Sequence, residues 1–103
     1  MEYAQKEKTY QPEGKYVQGG HVVLRQEFDD WGILFDADSG EGYAVDPVAV
    51  FIWQQFDGSK TVADIIGLVK ENFAEVPDDA TLVADGEKFI NQLVEQGLIG
   101  VNL

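Results

Sequence analysis

The fold turns on the stretch Asp46-Pro47-Val48-Ala49-Val50-Phe51-Ile52-Trp53-Gln54-Gln55-Phe56-Asp57-Gly58. Asp46 can accept a hydrogen bond from the free N–H groups of a first helical turn, and Pro47 stands where a helix tolerates a missing N–H. Between Val48 and Phe56 only Gln54 and Gln55 are polar, so the apolar surface runs nearly all the way round, the pattern of a buried helix. Asp57-Gly58 supplies the stop, because glycine takes the left-handed conformation that closes a helix. Everything else reads as cover for this element.

Upstream, residues 21–28 alternate, with Val22, Leu24 and Phe28 on one side of a strand and Val23, Arg25 and Glu27 on the other. Asp29-Asp30 then turns the chain, both being residues that tolerate left-handed angles. A two-residue loop there pairs Phe28 with Trp31, Gln26 with Ile33 and Leu24 with Phe35. One apolar face then gathers Val22, Leu24, Phe28, Trp31, Ile33 and Phe35. A second turn over residues 37–41 leads to a short third strand, Gly42 to Val45, with Tyr43 opposite Phe35 and Val45 opposite Ile33.

Downstream, Thr61 followed by Asp64 makes a variant capping box, and Val62, Ile65, Ile66, Val69 and Phe73 keep helical spacing. Gly67 weakens this helix by about 1 kcal/mol relative to alanine, which points to a close helix contact at that position. A loop over residues 74–79 precedes a third helix from about Thr81 to Gln96. Its apolar stripe is Leu82, Phe89, Ile90, Leu93 and Val94, and Gly97 stops it, with Leu98 or Ile99 folding back on the last turn. Residues 1–20 lack any sustained period and are read as a mobile tail, leaving a domain over residues 21–103. Tyr3, Tyr10 and Tyr16 are candidates for docking on the domain's own open sheet edge.

Composition bounds the function. The 103 residues make one domain. Seven Lys and Arg against nineteen Asp and Glu give a formal charge of −12, which opposes nucleic-acid binding because phosphates need a basic face. The longest apolar run, Val48 to Trp53, is far short of the roughly 20 residues of a membrane helix, and no secretory signal pattern opens the chain. The expected setting is cytoplasmic. The absence of cysteine removes disulfides, thiolate ligands and cysteine nucleophiles together.

Chemical motifs are sparse. His21 is the only histidine and reads as a turn or surface residue. Asp36-Ala37-Asp38-Ser39-Gly40 echoes a calcium loop, yet Gly40 stands at the third ligand position and Pro47 at the twelfth, so the bidentate carboxylate is missing. Asp38-Ser39 is similar to the dipeptide that carries the phosphopantetheine arm in acyl carrier proteins, but it lies between two strands rather than at a helix start. Asp29-Asp30 and Asp78-Asp79 are read as turn and helix-start residues. No phosphate-cradling loop is present. The inventory predicts neither catalysis, nor a cofactor, nor a metal site. What remains is a surface: the free edge of the third strand can take up an extended peptide.

Tyr43-Ala44-Val45-Asp46, the helix ending Phe56-Asp57-Gly58, the start Thr61-Val62-Ala63-Asp64-Ile65-Ile66, and Asp85-x-x-x-Phe89-Ile90-x-x-Leu93-x-x-x-Gly97-Leu98-Ile99 together resemble the PqqD-like family, peptide chaperones also called RiPP recognition elements. The likeness spans residues 21–100, with Asp46 where the family usually has asparagine. It implies an α+β, winged-helix-like domain, a three-stranded antiparallel sheet followed by three helices. It also implies a partner: the leader of a ribosomally made precursor peptide, added as a fourth strand and presented to a modifying enzyme, often a radical S-adenosylmethionine maturase. Carried over by position, the peptide-binding residues are Gly42, Tyr43, Ala44, Val45 and Asp46 on the strand, and Asp85, Phe89, Ile90, Gln92 and Leu93 on the helix. The third helix offers Lys88 beside Glu87 and Glu95, which predicts a neutral or basic leader. The alternative is a winged-helix-like protein–protein interaction or regulatory domain without nucleic-acid binding.

Overall fold

The computed structural model describes residues 13–102. The chain runs β1 (Lys15–Gln18), β2 (Val22–Gln26), β3 (Gly32–Asp36), β4 (Gly42–Val45), α1 (Pro47–Gln54), α2 (Val62–Asn72), α3 (Asp79–Glu95) and β5 (Ile99–Asn102). Strands β2, β3 and β4 form an antiparallel sheet in that order, and β1 pairs with β5 in a second, two-stranded sheet.

Helix α1 begins as its sequence dictates. The Asp46 carboxylate accepts the Ala49 N–H at 2.8 Å, and Pro47 opens the helix. Val50, Ile52 and Trp53 are buried, while Val48, Ala49 and Phe51 are half-buried. The helix closes at Gln54, before Asp57-Gly58. Gly58 does take a positive φ of 84°, but within a loop, where its N–H donates to the Tyr16 carbonyl at 2.8 Å. The earlier stop has a partner to explain it, because the loop after α1 is stitched to β1. Gln18 N–H donates to the Phe56 carbonyl at 3.2 Å, and the Gln18 side-chain amide donates to the Trp53 carbonyl at 3.0 Å.

The capping box of α2 forms in both directions, Asp64 N–H to the Thr61 hydroxyl at 3.2 Å and Thr61 N–H to the Asp64 carboxylate at 3.0 Å. At the end of α3, Gly97 has φ 74°, its N–H donates to the Val94 carbonyl, and Leu98 N–H reaches back to the Leu93 carbonyl at 2.9 Å. This doubly bonded stop turns Leu98 into the core, where it is fully buried. The close helix contact lies elsewhere than expected: a Cβ on Gly67 would meet nothing within 4 Å, whereas one on Gly86 would stand 2.8 Å from Ile66 Cδ1. Gly86 of α3 is therefore what lets α2 and α3 approach.

Two further expectations are corrected. The first is the register of the β2–β3 hairpin. Glu27 N–H donates to the Trp31 carbonyl at 2.7 Å, enclosing three residues, Phe28 to Asp30, instead of two. Asp29 and Asp30 both adopt left-handed angles, at φ 60° and 64°, but the extra loop residue shifts every pair by one. Leu24 faces Leu34, Arg25 faces Ile33 and Val23 faces Phe35, while Tyr43 lies opposite Leu34 and Val45 opposite Gly32. A one-residue slip exchanges the faces of a strand. The inner face becomes Val22, Leu24, Leu34, Tyr43 and Val45, and Phe28, Trp31 and Phe35 are left exposed, Phe28 at 82%.

The second is the tail. Lys15–Gln18 is a strand, and Tyr16 is 1% exposed in the core, edge-on to Phe56 with ring centroids 6.2 Å apart. A four-residue strand carries too little pattern to register in sequence, and its partner β5 lies at the other end of the chain. Tyr16 docks in the core rather than on the edge of β4, and Tyr3 and Tyr10 lie outside the described residues. Tyr16→Ala will destabilise the protein by about 3–5 kcal/mol in urea unfolding, as truncation of a buried aromatic does, whereas a tail residue would change stability by no more than about 0.5 kcal/mol.

Candidate functional site

Strand β4 is the last strand of its sheet, and its outer edge has no partner strand among the described residues. Which groups it presents follows from the ladder. Asp36 N–H donates to the Glu41 carbonyl at 2.9 Å, so these two form a hydrogen-bonded pair. Antiparallel pairs alternate, which makes Leu34–Tyr43 and Gly32–Val45 bonded pairs as well. Gly42 and Ala44 therefore turn both N–H and C=O away from β3, and Asp46 turns its N–H the same way. The Asp46 carbonyl is already used by Val50 N–H at 2.8 Å, inside α1.

Across from this edge stands the C-terminal half of α3. Between them lies a cleft of about 360 Å³ lined by Tyr43, Ala44, Val45 and Asp46 on one wall and Phe89, Gln92 and Leu93 on the other. Seven of the residues expected from sequence are thus brought together. Three are placed differently. Ile90 is fully buried in the core and does not line the cleft, because its position on α3 faces inward. Gly42 contributes only its backbone edge, and Asp85 lines a neighbouring cleft one turn earlier on α3.

Leu34, Ala49, Gln96 and Leu98 also line the cleft and were not anticipated. Leu34 was hidden by the register, which in its two-residue form turns that side chain outward. Leu98 could have been found, since a residue folded back after Gly97 must land beside the last turn of α3. Ala49 is the third residue after the Asp46 cap and lies on the same side of α1 as that cap. Nothing in the sequence marks Gln96.

One end of the cleft is bridged. The Tyr43 hydroxyl donates to the Glu41 carboxylate at 2.8 Å and lies 3.2 Å from the Gln96 side-chain amide. The bond to Glu41 raises the Tyr43 pKa above that of an ordinary phenol, with burial adding to it, so the hydroxyl keeps its proton at neutral pH. A half-buried phenol thus ties β4 to the end of α3. Outward backbone donors and acceptors above an apolar floor of Leu34, Leu93 and Leu98 are the features that strand pairing and side-chain burial require of a peptide site.

His21, Asp36 and Asp38 form the one trio among the described residues that could hold a metal ion, their ligand atoms lying within 4.8 Å of one another. Asp36 is already engaged: one carboxylate oxygen accepts Asp38 N–H at 2.9 Å and Ser39 N–H at 3.3 Å. Those bonds are what the β3–β4 turn requires. Burial raises the Asp36 pKa, but the Asp38 and Ser39 amides, the Ser39 hydroxyl and nearby His21 outweigh it and hold the carboxyl below its ordinary range.

The fold and the cleft define a small α+β domain with one open sheet edge facing a helix. The sequence pattern of the family described as Coenzyme PQQ synthesis protein D (PqqD) matches residues 32–99, and the chain belongs to that family. Among solved structures, the chain is similar to TbiB1 in complex with the TbiA(beta) leader peptide, at 22% identity and TM-score 0.66, covering 81% of this chain and 93% of that one. It is similar also to lasso peptide synthetase B1 complexed with the leader peptide, at 21% identity and TM-score 0.67, covering 84% and 98% respectively. No curated protein sequence matches. No helix among the described residues is long and apolar enough to cross a membrane.

The Asp36 turn sets a pH dependence. Its folded pKa lies below the unfolded value, so its contribution is present above about pH 4 and is lost as pH falls through the lowered folded value. Asp36→Asn will be less stable than the parent above pH ~5, and the gap will narrow as pH is lowered below ~4. Thermal unfolding of both proteins across that range checks this.

Proposed function

We propose that this protein is a peptide chaperone that binds the leader of a ribosomally synthesised precursor peptide as a fourth strand along β4, in the cleft shared with α3. The single observation that carries the reading is the set of outward backbone groups at Gly42, Ala44 and Asp46 on the strand that faces Phe89 and Gln92 across the cleft. Membership of the PqqD family supports it, as do the two solved structures of like fold, both of which hold leader peptides. Tyr43, Val45, Phe89 and Leu93 serve packing as well as binding, so the backbone edge is the cleaner signature of the role.

In this role the chain performs no chemistry. It raises the local concentration of its peptide near a modifying enzyme, of which a radical S-adenosylmethionine maturase is the type we favour, acting in the cytoplasm. Micromolar affinity, roughly −8 kcal/mol, is then sufficient. Lys88, Glu87 and Glu95 lie on α3 but do not line the cleft; the one charged side chain that does is Asp46, which supports a neutral or basic leader. A second reading, a protein–protein interaction or regulatory domain, draws on a different observation: Val23, Phe28, Trp31 and Phe35 leave an exposed apolar surface on the β2–β3 hairpin. A radical-SAM gene and a short precursor gene beside this one would favour the first reading.

An amide chemical-shift titration with that precursor peptide will move the signals of Ala44, Asp46, Phe89 and Gln92. Ala44→Pro removes an N–H that faces away from β3 and so spares the ladder. It will weaken peptide binding at least tenfold with the melting temperature nearly retained, and unchanged binding by the folded variant would reject this register. For a basic leader, binding will weaken as salt rises. An acidic leader bound tightly and without response to salt would overturn the charge assignment.

A further inference from the structure

The cleft along β4 is bridged at one end and continues at the other. Tyr43 and Gln96 span it near the start of β4, at 3.2 Å. Past Asp46 and Phe89 a second cleft of about 310 Å³ opens between α1, the α2–α3 loop and the first turns of α3. Asp46, Ala49 and Phe89 line both, so the two are continuous. A chain lying along β4 and longer than the strand has a second cleft to enter in this direction.

The second cleft differs from the first in chemistry. Ile52 and Leu82 are buried at its base, with Val48 and Val76 half-buried on its walls. At its margin stand Asp46, Glu75 and Asp85, all exposed, and no Lys, Arg or His lines it. An apolar base beneath three carboxylates is complementary to an apolar side chain that has a cation beside it. Backbone pairing along β4 cannot supply such selection, because every peptide carries the same backbone.

We propose that the cleft between α1 and α3 is a specificity subsite for the peptide that adds to β4. It receives one large apolar side chain from the segment running past Asp46, and the carboxylates of Asp46, Glu75 and Asp85 select a lysine or arginine adjacent to it. The inference rests on the strand-addition reading and adds to it which side chains are chosen and where. Burial of the apolar side chain changes affinity roughly 10- to 100-fold. The carboxylates are exposed, so their effect is smaller and falls with salt.

The test uses the whole protein and a displayed library of random linear peptides free of cysteine. Selected peptides will share a large aliphatic or aromatic residue next to Lys or Arg, and will shift the amide signals of Ala44 and Asp46 together with those of Val48 and Val76. The double variant Glu75→Lys, Asp85→Lys alters only exposed positions. It will bind the same peptides about three- to tenfold more weakly at low salt, with the difference closing at high salt. Peptides that shift Ala44 and Asp46 but neither Val48 nor Val76, or that bind the double variant equally well, overturn the subsite and leave strand addition standing. Peptides that shift only Val48 and Val76, or a library from which nothing is enriched, overturn both.

Discussion

The corner at Asp46 is the constraint from which the site follows. Its carboxylate accepts the Ala49 N–H at 2.8 Å and its carbonyl the Val50 N–H, so the residue that ends β4 also begins α1. A cap of this kind contributes about 1 kcal/mol, and Pro47 adds a fixed φ at the first helical position. The chain is thereby committed to leave the sheet as soon as β4 is made. No residue is left between β4 and α1 to turn the chain back as a further strand, and among the described residues the outer edge of β4 has no partner strand. One residue thus supplies what the helix needs for its start, through carboxylate and carbonyl, while its N–H faces out from the sheet.

A small sheet with an open edge must be held by something other than more strands. Here α1 packs on the inner face where Gly32 leaves room: a Cβ there would stand 2.9 Å from Leu24 Cδ1 and 3.1 Å from Val50 Cγ2. The two chain ends then close the far side of the domain. Strand β5 follows directly from the stop at Gly97 and pairs with β1 from Lys15↔Asn102 to Gln18↔Ile99. Gly19 N–H donates to the Leu98 carbonyl at 2.9 Å, and Tyr16 and Leu98 are buried together in the core. β1 is thus paired with β5 rather than with β4, and these two strands stabilise the domain in a separate sheet.

Local signals in the sequence carried local truth. The Asp46 cap, the Thr61–Asp64 box and the stop at Gly97 each depend on atoms a few residues apart, and each is formed as its spacing indicates. Register is different in kind. Two-residue and three-residue loops over the same pair of aspartates are both compatible with left-handed angles, and the choice between them is made by packing. With Leu34 turned inward the core gains a fully buried leucine, and the cost is an outer face bearing Val23 and Phe35. Three of the aromatic residues near the hairpin pointed the sequence reading to the wrong face, because exposed aromatics are the less common case. Strand β1 was out of reach for a further reason: its order depends on β5, whose four residues lie some eighty positions away. The cleft lining was legible through the resemblance at seven positions, and the burial of Ile90 reflects how closely a core stripe and a cleft-lining stripe run together on one helix.

An unpaired, partly apolar strand edge invites association with a second copy of itself, and proteins that keep such edges need a means of discouraging it. Neither a proline nor a lysine stands on β4 to do so. The four-residue length of β4 is one such means, and charge is another. At a formal −12, two copies repel as they approach, and Glu41 and Asp46, at the two ends of β4, place part of that charge beside the edge. The repulsion is screened over about 8–10 Å at physiological salt, so it is the carboxylates nearest the cleft, rather than the total, that matter when two edges come within pairing distance. A peptide bearing cations meets the same carboxylates as attraction. Under the strand-addition proposal, the acidity that discourages pairing of two copies also favours strands that carry cations, so one surface property serves both ends.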